Sequence, residues 1–340
     1  METDLPPPQA RANQVGRSDL ERRLRTTMSE GALSHGWIIS GAPGAGKATL
    51  AYRLARGRLD PEALSNDASF EMPDDARCFR LVAAGAHPDL FVAQREWDEK
   101  TSRYKTEITV ETIRKLTKFL NRTASGGGWR VAIIDSADDM NRNAANALLK
   151  ALEEPPAKVL LLLVSSAPGR LLATIRSRCR KLELAALPET EIETLLIAEG
   201  LAHDDAEAIA AISRGRPGYA LRLAAEGGDE AVRLAHGFLK AVVANADISK
   251  FFTALGGKAG DPHWAIFKEA VIDILSDAAR ETARGNPHDF FPNAQASQLL
   301  AAWEQASKLI AQGEGLNLDR AQLIRAIGYD LRAILQDRAA

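Results

Sequence analysis

The chain has 340 residues, of which 46% are apolar, enough for buried cores in two or three domains of roughly 100–200 residues each. Its 43 basic and 45 acidic residues leave a net charge of −2, which argues against a strong autonomous nucleic-acid binder. Two cysteines, Cys78 and Cys179, are too few for a four-cysteine zinc module, and no apolar run reaches the ~20 residues of a membrane span. With no apolar signal segment near the start, these features predict a cytoplasmic protein.

The N-terminal part of the sequence predicts an arm, then a helix, then a strand that enters a Gly-rich loop. Residues 1–16 are Pro-rich and polar, which predicts an arm. Ser18 and Glu21 have the S-x-x-E spacing of a capping box and predict the start of a helix. The apolar run Trp37–Ile39 predicts a buried strand, and the loop after it leads into a predicted helix, Lys47–Arg56, that ends at the following glycine.

Strand and helix patterns continue to alternate up to about residue 186. Further strands are predicted at Leu90–Val92, Val131–Asp135, Val159–Val164 and Leu182–Leu184, and further helices at Val110–Leu120 and Asn143–Glu153. This alternation predicts an α/β domain of three layers around a parallel sheet. Only helical patterns follow, so the sequence predicts three domains: residues 1–186, 187–245 and 246–340.

The loop "SGAPGAGKATL" matches the phosphate-binding pattern G-x-x-x-x-G-K-[ST] except at its last position. Gly41, Gly44, Gly46 and Lys47 retain the glycines and the lysine, so backbone N–H groups and an ammonium could hold phosphate oxygens. Ala48 replaces the hydroxyl that normally binds Mg²⁺. The alternative is that the glycines only shape a turn between strand and helix.

Asp135 ends a predicted strand, where an NTPase places the carboxylate of its Mg²⁺ shell. An aspartate that caps the following turn is the alternative. The next residue, where a water-orienting glutamate is common, is Ser136, a poor base near neutral pH. Asp138 and Asp139 follow and are expected to point elsewhere. Two parts of a hydrolytic site are therefore missing.

Three segments together carry a family resemblance. His35–Arg56, Ile133–Pro156 with its A-N-A-L-L-K-x-L-E-E-P-P string, and Leu171–Leu184 resemble the AAA+ core of bacterial clamp-loader subunits, and are most similar to the delta-prime subunits of DNA polymerase III. The resemblance implies that the three predicted domains are an AAA+ P-loop core, a helical lid, and a C-terminal all-α collar domain for oligomerisation.

The resemblance implies a role for the Ser177-Arg178-Cys179 triplet, which matches the family's SRC motif. In that family the arginine points into the ATP site of a neighbouring subunit, as an arginine finger in trans. A guanidinium suits that task because its planar donors can stabilise phosphate charge in the transition state. The alternative is a surface arginine within a basic cluster.

Other positions match the family less completely. Ser166 falls at the sensor 1 position, where its hydroxyl could contact phosphate or cap the strand, and Gly218 stands where ATP-hydrolysing members carry the sensor 2 arginine. Of the four-cysteine zinc module found in relatives only Cys78 remains, which predicts no zinc and no other metal.

The predicted function is that of a delta-prime-like stator in a hetero-oligomeric clamp loader of the polymerase III holoenzyme. Its expected partners are ATPase subunits of gamma/tau type, a delta-type subunit, and, within the complex, primer-template DNA and the sliding clamp. No membrane is involved, no cofactor is required, and ATP or ADP could be held at the degenerate loop without hydrolysis. The alternative is an active AAA+ ATPase with unusual magnesium and base ligands.

Overall fold

Seven strands are found in the described residues, and most of them come from the apolar runs of the sequence. They are β1 (Gly36–Gly41), β2 (Leu90–Ala93), β3 (Trp97–Asp98), β4 (Arg103–Tyr104), β5 (Arg130–Asp135), β6 (Val159–Ser165) and β7 (Arg180–Leu184). Five of them pair in parallel in the order β2-β5-β6-β1-β7, while β3 and β4 form a separate antiparallel hairpin. The strand patterns predicted from the sequence are confirmed.

Helices flank this sheet and make up the chain beyond it. They are α1 (Ser18–Ser29), α2 (Lys47–Leu59), α3 (Arg77–Ala83), α4 (Val110–Leu120), α5 (Arg142–Glu153), α6 (Ala173–Arg178), α7 (Glu189–Ala198), α8 (His203–Ser213), α9 (Pro217–Glu226), α10 (Gly228–Val243), α11 (Ser249–Leu255), α12 (Pro262–Ala283), α13 (Ala296–Leu316) and α14 (Arg320–Gln336). The predicted fold class, an α/β core around a parallel sheet followed by helices, is confirmed. None of the described helices is long and apolar enough to cross a membrane.

Alternate residues of the central strands face two separate cores. In β5, Val131 and Ile133 pack with α1, α2 and α3, whereas Ala132 and Ile134 pack with α4, α5 and α6. Both faces of the sheet are therefore covered, which explains why its strands are continuous apolar runs rather than alternating ones.

This computed structural model describes residues 6–66, 68–99, 103–125, 127–255, 262–288, 290–316 and 318–336. Residues 1–5 and 337–340, the ends of the first and last predicted domains, lie outside the described residues. The chain divides into two compact units, one within residues 4–221 and one within residues 222–340. The predicted domain boundaries after residues 186 and 245 stay predictions.

The predicted end of α2 and the predicted capping box of α1 were wrong, although α1 does begin at Ser18 as predicted. Gly57 does not end α2, which continues to Leu59; it is a glycine because an added Cβ would lie 2.5 Å from the Phe70 ring. Ser18 does not cap α1 with its side chain, and the helix follows Arg17 as its N-cap. The other residue of the expected capping box, Glu21, is buried and pairs with an arginine of α2.

The N-terminal segment is not a free arm over its described residues. The buried Arg56 guanidinium donates to the carbonyl oxygens of Gln9 (2.9 Å) and Arg11 (2.6 Å). Arg17 donates to the carbonyl of Ala185 at 2.5 Å. These bonds hold the segment against α2 and the end of β7, since a buried guanidinium needs several acceptors.

Candidate functional site

The Gly-rich loop after β1 has the backbone shape of a phosphate cradle. Gly44 and Gly46 have φ of +79° and +88°, and Gly46 is the N-cap of α2, so the helix N-terminus faces the loop. A Cβ on Gly44 would lie 2.8 Å from the backbone nitrogen of Tyr219. Glycine is therefore required at this position both for its conformation and for the close approach of α9.

Lys47 turns its side chain back onto this loop. Its Nζ donates to the carbonyl oxygens of Gly41 (2.8 Å) and Ala42 (2.7 Å), and the side chain is buried. Burial lowers the pKa of Lys47 to about 8, although the carboxylates of Asp138 and Asp135 act in the opposite direction. Phosphate oxygens at this loop would therefore compete with two carbonyls for the ammonium.

Asp135 and Ser136 lie at the carboxyl end of β5, on the same edge of the sheet as the loop. Burial raises the pKa of Asp135, while the Lys47 ammonium acts to lower it. A carboxylate for a magnesium shell is thus present, but the residue after it offers only a hydroxyl. The loop contributes no side-chain ligand for magnesium, because Ala48 has no side-chain oxygen. The residues fit a phosphate cradle and do not fit the magnesium shell of an active NTPase.

Asp138 does not point away from this edge, contrary to the expectation from the sequence. Its Oδ1 accepts from Ser165 Oγ at 2.6 Å, and its Oδ2 accepts from the backbone N–H groups of Ser166 (2.6 Å) and Ala167 (3.2 Å). Asp139 forms an ion pair with Arg95 at 3.2 Å. Asp138 therefore caps the end of β6 and has its oxygens engaged, which leaves it poorly placed to orient a water. The Ser166 side chain itself is exposed.

A cavity of about 220 Å³ lies beside the loop within the first unit. The N-terminal segment and residues of α2, α7 and α9 line it, including Thr49, Leu195 and Leu221, together with Glu199 directly after α7. Gln14 closes one side, where its Nε2 donates to the Gly46 carbonyl at 3.3 Å. Thr49 thus lines this cavity. It lies one residue beyond Ala48, the position at which a side-chain hydroxyl would bind Mg²⁺.

The start of α9 packs on the loop at the position predicted for a sensor arginine. The Gly218 N–H donates to the Gly44 carbonyl at 2.8 Å, and a Cβ on Gly218 would lie 3.1 Å from that oxygen. Arg216, two residues earlier, is buried; its Nε donates to the Ser213 carbonyl at 3.0 Å and its guanidinium lies 4.1 Å from the Tyr219 ring centroid. Arg216 is thus held in place by its contacts with Ser213 and Tyr219.

The SRC triplet lies at the end of α6, with its three side chains in different environments. Cys179 is buried, which raises the pKa of its thiol to about 11, so it packs rather than reacts. Arg178 is partly exposed, pairs with Glu153 at 2.8 Å, and donates to the Thr174 carbonyl at 3.0 Å. Ser177 donates to that same carbonyl at 3.1 Å. The pairing with Glu153 has no sequence signal beyond the position of this residue in the L-E-E-P-P string.

The two groups of candidate residues lie at opposite edges of the sheet. β7 pairs with β1 from Trp37 opposite Arg180 to Gly41 opposite Leu184, so Arg178 precedes the paired strands while the loop follows them. At about 3.3 Å per residue, Arg178 is on the order of 15–20 Å from its own loop. The structure brings Gly41, Gly44, Gly46, Lys47 and Asp135 together, and it keeps Ser177, Arg178 and Cys179 apart from them.

The matching family model and the curated relatives are those of DNA polymerase III subunits. The family model described as "DNA polymerase III, delta subunit" matches residues 16–188. The delta' subunit of Pseudomonas aeruginosa is 39% identical over 197 residues, which cover 57% of this chain and 57% of the relative. The delta' subunit of Escherichia coli K12 is 36% identical over 208 residues, which cover 61% and 59%. The chain therefore spans somewhat more than half the length of these relatives.

Two further similarities extend over more of the chain. The tau subunit of Salmonella typhimurium is 31% identical over 287 residues, which cover 82% of this chain and 41% of the relative. A solved structure of a DNA polymerase III gamma subunit-related protein from Thermotoga maritima aligns with 94% of this chain and 100% of its own, at 19% identity and a TM-score of 0.46. Since the family model matches more than half of the residues, the chain belongs to the delta' family of DNA polymerase III subunits, which the model describes as "DNA polymerase III, delta subunit".

Proposed function

We propose that the chain is a clamp-loader subunit of DNA polymerase III that acts as a delta'-like stator. In this role it helps to load the sliding clamp on primed DNA, in a hetero-oligomer with tau/gamma-type ATPase subunits and a delta-type subunit. It contributes Arg178 to the ATP site of a neighbouring subunit and does not hydrolyse ATP itself. Membership of the delta' family and similarity to tau subunits support this assembly.

The location of Arg178 is the observation that carries the proposal. The guanidinium is partly exposed at the amino edge of the sheet, on the order of 15–20 Å from the chain's own loop, too far to reach a phosphate bound there. An arginine that stabilises phosphate charge must lie within hydrogen-bond distance of it. A phosphate of another subunit is therefore the target that this position allows.

The chain's own loop supports the proposal that hydrolysis does not occur in this subunit. Ala48 offers no magnesium ligand, Ser136 offers no base, and Gly218 offers no sensor arginine. Each missing group has a defined task in phosphoryl transfer, and loss of all three leaves only the cradle and Lys47. ATP or ADP could still bind as a structural ligand at this cradle.

We extend the proposal to the remaining parts of the chain. The helices after the lid would form the collar through which the subunit assembles, and the complex, rather than this chain alone, would hold primer-template DNA and the clamp. No zinc is required: Cys78 is a buried thiol whose pKa burial raises to about 11. Among the described residues, no cluster of His, Cys, Asp or Glu is arranged to hold a metal ion.

ATP hydrolysis by the reconstituted loader tests the proposed role of Arg178. Arg178→Ala should slow DNA- and clamp-stimulated hydrolysis, while this chain stays folded and assembled. Arg180→Ala is the matched control because it removes an exposed arginine two residues away, at the start of β7, and should leave the rate unchanged. Equal rates for Arg178→Ala and the unsubstituted complex would rule out the trans role.

Turnover by the isolated chain separates the stator from an active AAA+ ATPase. If the chain is a stator, the isolated chain should hydrolyse ATP no faster than its Lys47→Ala variant, since the magnesium ligand and the base are both missing. Robust turnover that depends on Lys47 would favour the ATPase with unusual ligands.

A further inference from the structure

Two acceptors on different elements hold the guanidinium of Arg178. Glu153 Oε1, at the carboxyl end of α5, forms an ion pair with Arg178 Nη2 at 2.8 Å. The Thr174 carbonyl of α6 accepts from Nη1 at 3.0 Å, and Ser177 Oγ lies 3.5 Å from Nη1. These contacts use at most three of the five N–H donors of an arginine, so donors are left for a phosphate. The guanidinium is therefore oriented without being fully occupied.

The backbone behind this ion pair is anchored in the core. Leu152 and Cys179, the chain neighbours of Glu153 and Arg178, are both buried beside Gly36 at the start of β1. A Cβ on Gly36 would lie 3.1 Å from Leu152 Cδ2 and 3.2 Å from Cys179 Sγ, so the three segments are in close contact. The ion pair thus lies on the surface, but the residue next to each partner is packed in the core.

Stability alone gives little reason for this arrangement. The side chains of Glu153 and Arg178 are 47% and 35% exposed, and ion pairs with this exposure contribute little to folding. A long arginine side chain, however, has many rotamers, and a donor that acts on transition-state charge is most effective when it is already oriented. The ion pair restricts those rotamers at the one side chain to which the proposed function assigns chemistry.

We infer that Glu153 is a positioning residue that orients Arg178 toward the phosphates of ATP bound by the neighbouring subunit. This inference rests on the proposed function of Arg178. Glu153 itself touches no nucleotide; it pairs with Nη2 of the guanidinium, and the contacts of Arg178 leave donors for a phosphate. Its effect is on the rate of the chemical step and not on the affinity of the neighbour for ATP.

The test measures steady-state ATP hydrolysis by the reconstituted loader with Glu153→Gln. Loss of the carboxylate should lower the Arg178-dependent part of kcat by about threefold to tenfold with KM unchanged, since orientation is lost but the guanidinium remains. Glu153→Gln combined with Arg178→Ala should be no slower than Arg178→Ala alone. Glu154→Gln, an exposed neighbour, is the matched control and should retain the full rate. The melting temperature of the chain should not change in any of these variants.

The outcomes separate this inference from the proposed function. If Arg178→Ala slows hydrolysis and Glu153→Gln does not, the inference is wrong and the proposed function stands. If Glu153→Gln speeds hydrolysis, Glu153 restrains Arg178 instead of positioning it, and the inference is again wrong. If Arg178→Ala has no effect, the proposed function fails, and the inference fails with it.

Discussion

The buried ion pair between α1 and α2 gives the sharpest prediction about stability. Glu21 accepts from Arg53 Nε at 2.7 Å and from Nη2 at 2.8 Å, and it also accepts from the Phe70 N–H at 3.1 Å. Both charged side chains are only 3% exposed. Removing one charge of such a pair leaves the other buried without compensation, which costs about 3–5 kcal/mol. Glu21→Gln should therefore lower the free energy of unfolding by about that amount.

For a unit of this size, the loss corresponds to a fall in melting temperature of about 6–20 °C. Urea denaturation followed by circular dichroism measures the loss, and hydrogen exchange in α2 reports the first unit alone. Asp19→Asn is the matched control, because Asp19 lies on the same helix and pairs with Arg22 at 2.8 Å, but in solvent. Asp19→Asn should leave the midpoint of urea denaturation unchanged. A loss below about 1 kcal/mol for Glu21→Gln would refute the reasoning.

Three further predictions concern the loop. Burial lowers the pKa of Lys47 to about 8, so between about pH 8 and pH 10.5 the unfolded chain binds this proton and the folded chain does not. The free energy of unfolding should therefore rise with pH over that range. In urea titrations, Lys47→Met should flatten the rise. Gly44→Ala should cost about 2 kcal/mol more than Gly85→Ala in thermal melts, since both have positive φ but only Gly44 has a backbone atom in the way. Ala48→Thr should not create ATPase activity in the isolated chain, because Ser136 still supplies no base.

The parts of the fold that depend on local patterns could be predicted from the sequence. The run Val159–Val164 predicts a strand buried on both faces, and β6 follows it with one added residue. The predicted range of α4 agrees with the structure because its apolar residues keep one face throughout. Gly57 misled the prediction because its packing partner, Phe70, is set by the tertiary fold and not by the helix.

The candidate sites depend more on long-range contacts, and these could not be predicted. Asp138 follows β5, yet its partners are at the end of β6, 27 to 29 residues away. The N-terminal segment reads as Pro-rich and polar, but its place is decided by the buried Arg56, 45 to 47 residues further on. The SRC motif located Arg178 through family resemblance, and only the structure pairs it with Glu153.

Single-turnover hydrolysis at one defined site tests the trans role of Arg178 most directly. The complex would be assembled so that only the ATPase subunit next to this chain retains its P-loop lysine. Removal of an arginine finger lowers hydrolysis by about 10³-fold or more, so Arg178→Ala should nearly abolish turnover at that site while Arg180→Ala preserves it. Equal rates for Arg178→Ala and the unsubstituted chain would contradict the proposal that this subunit supplies its chemistry across an interface.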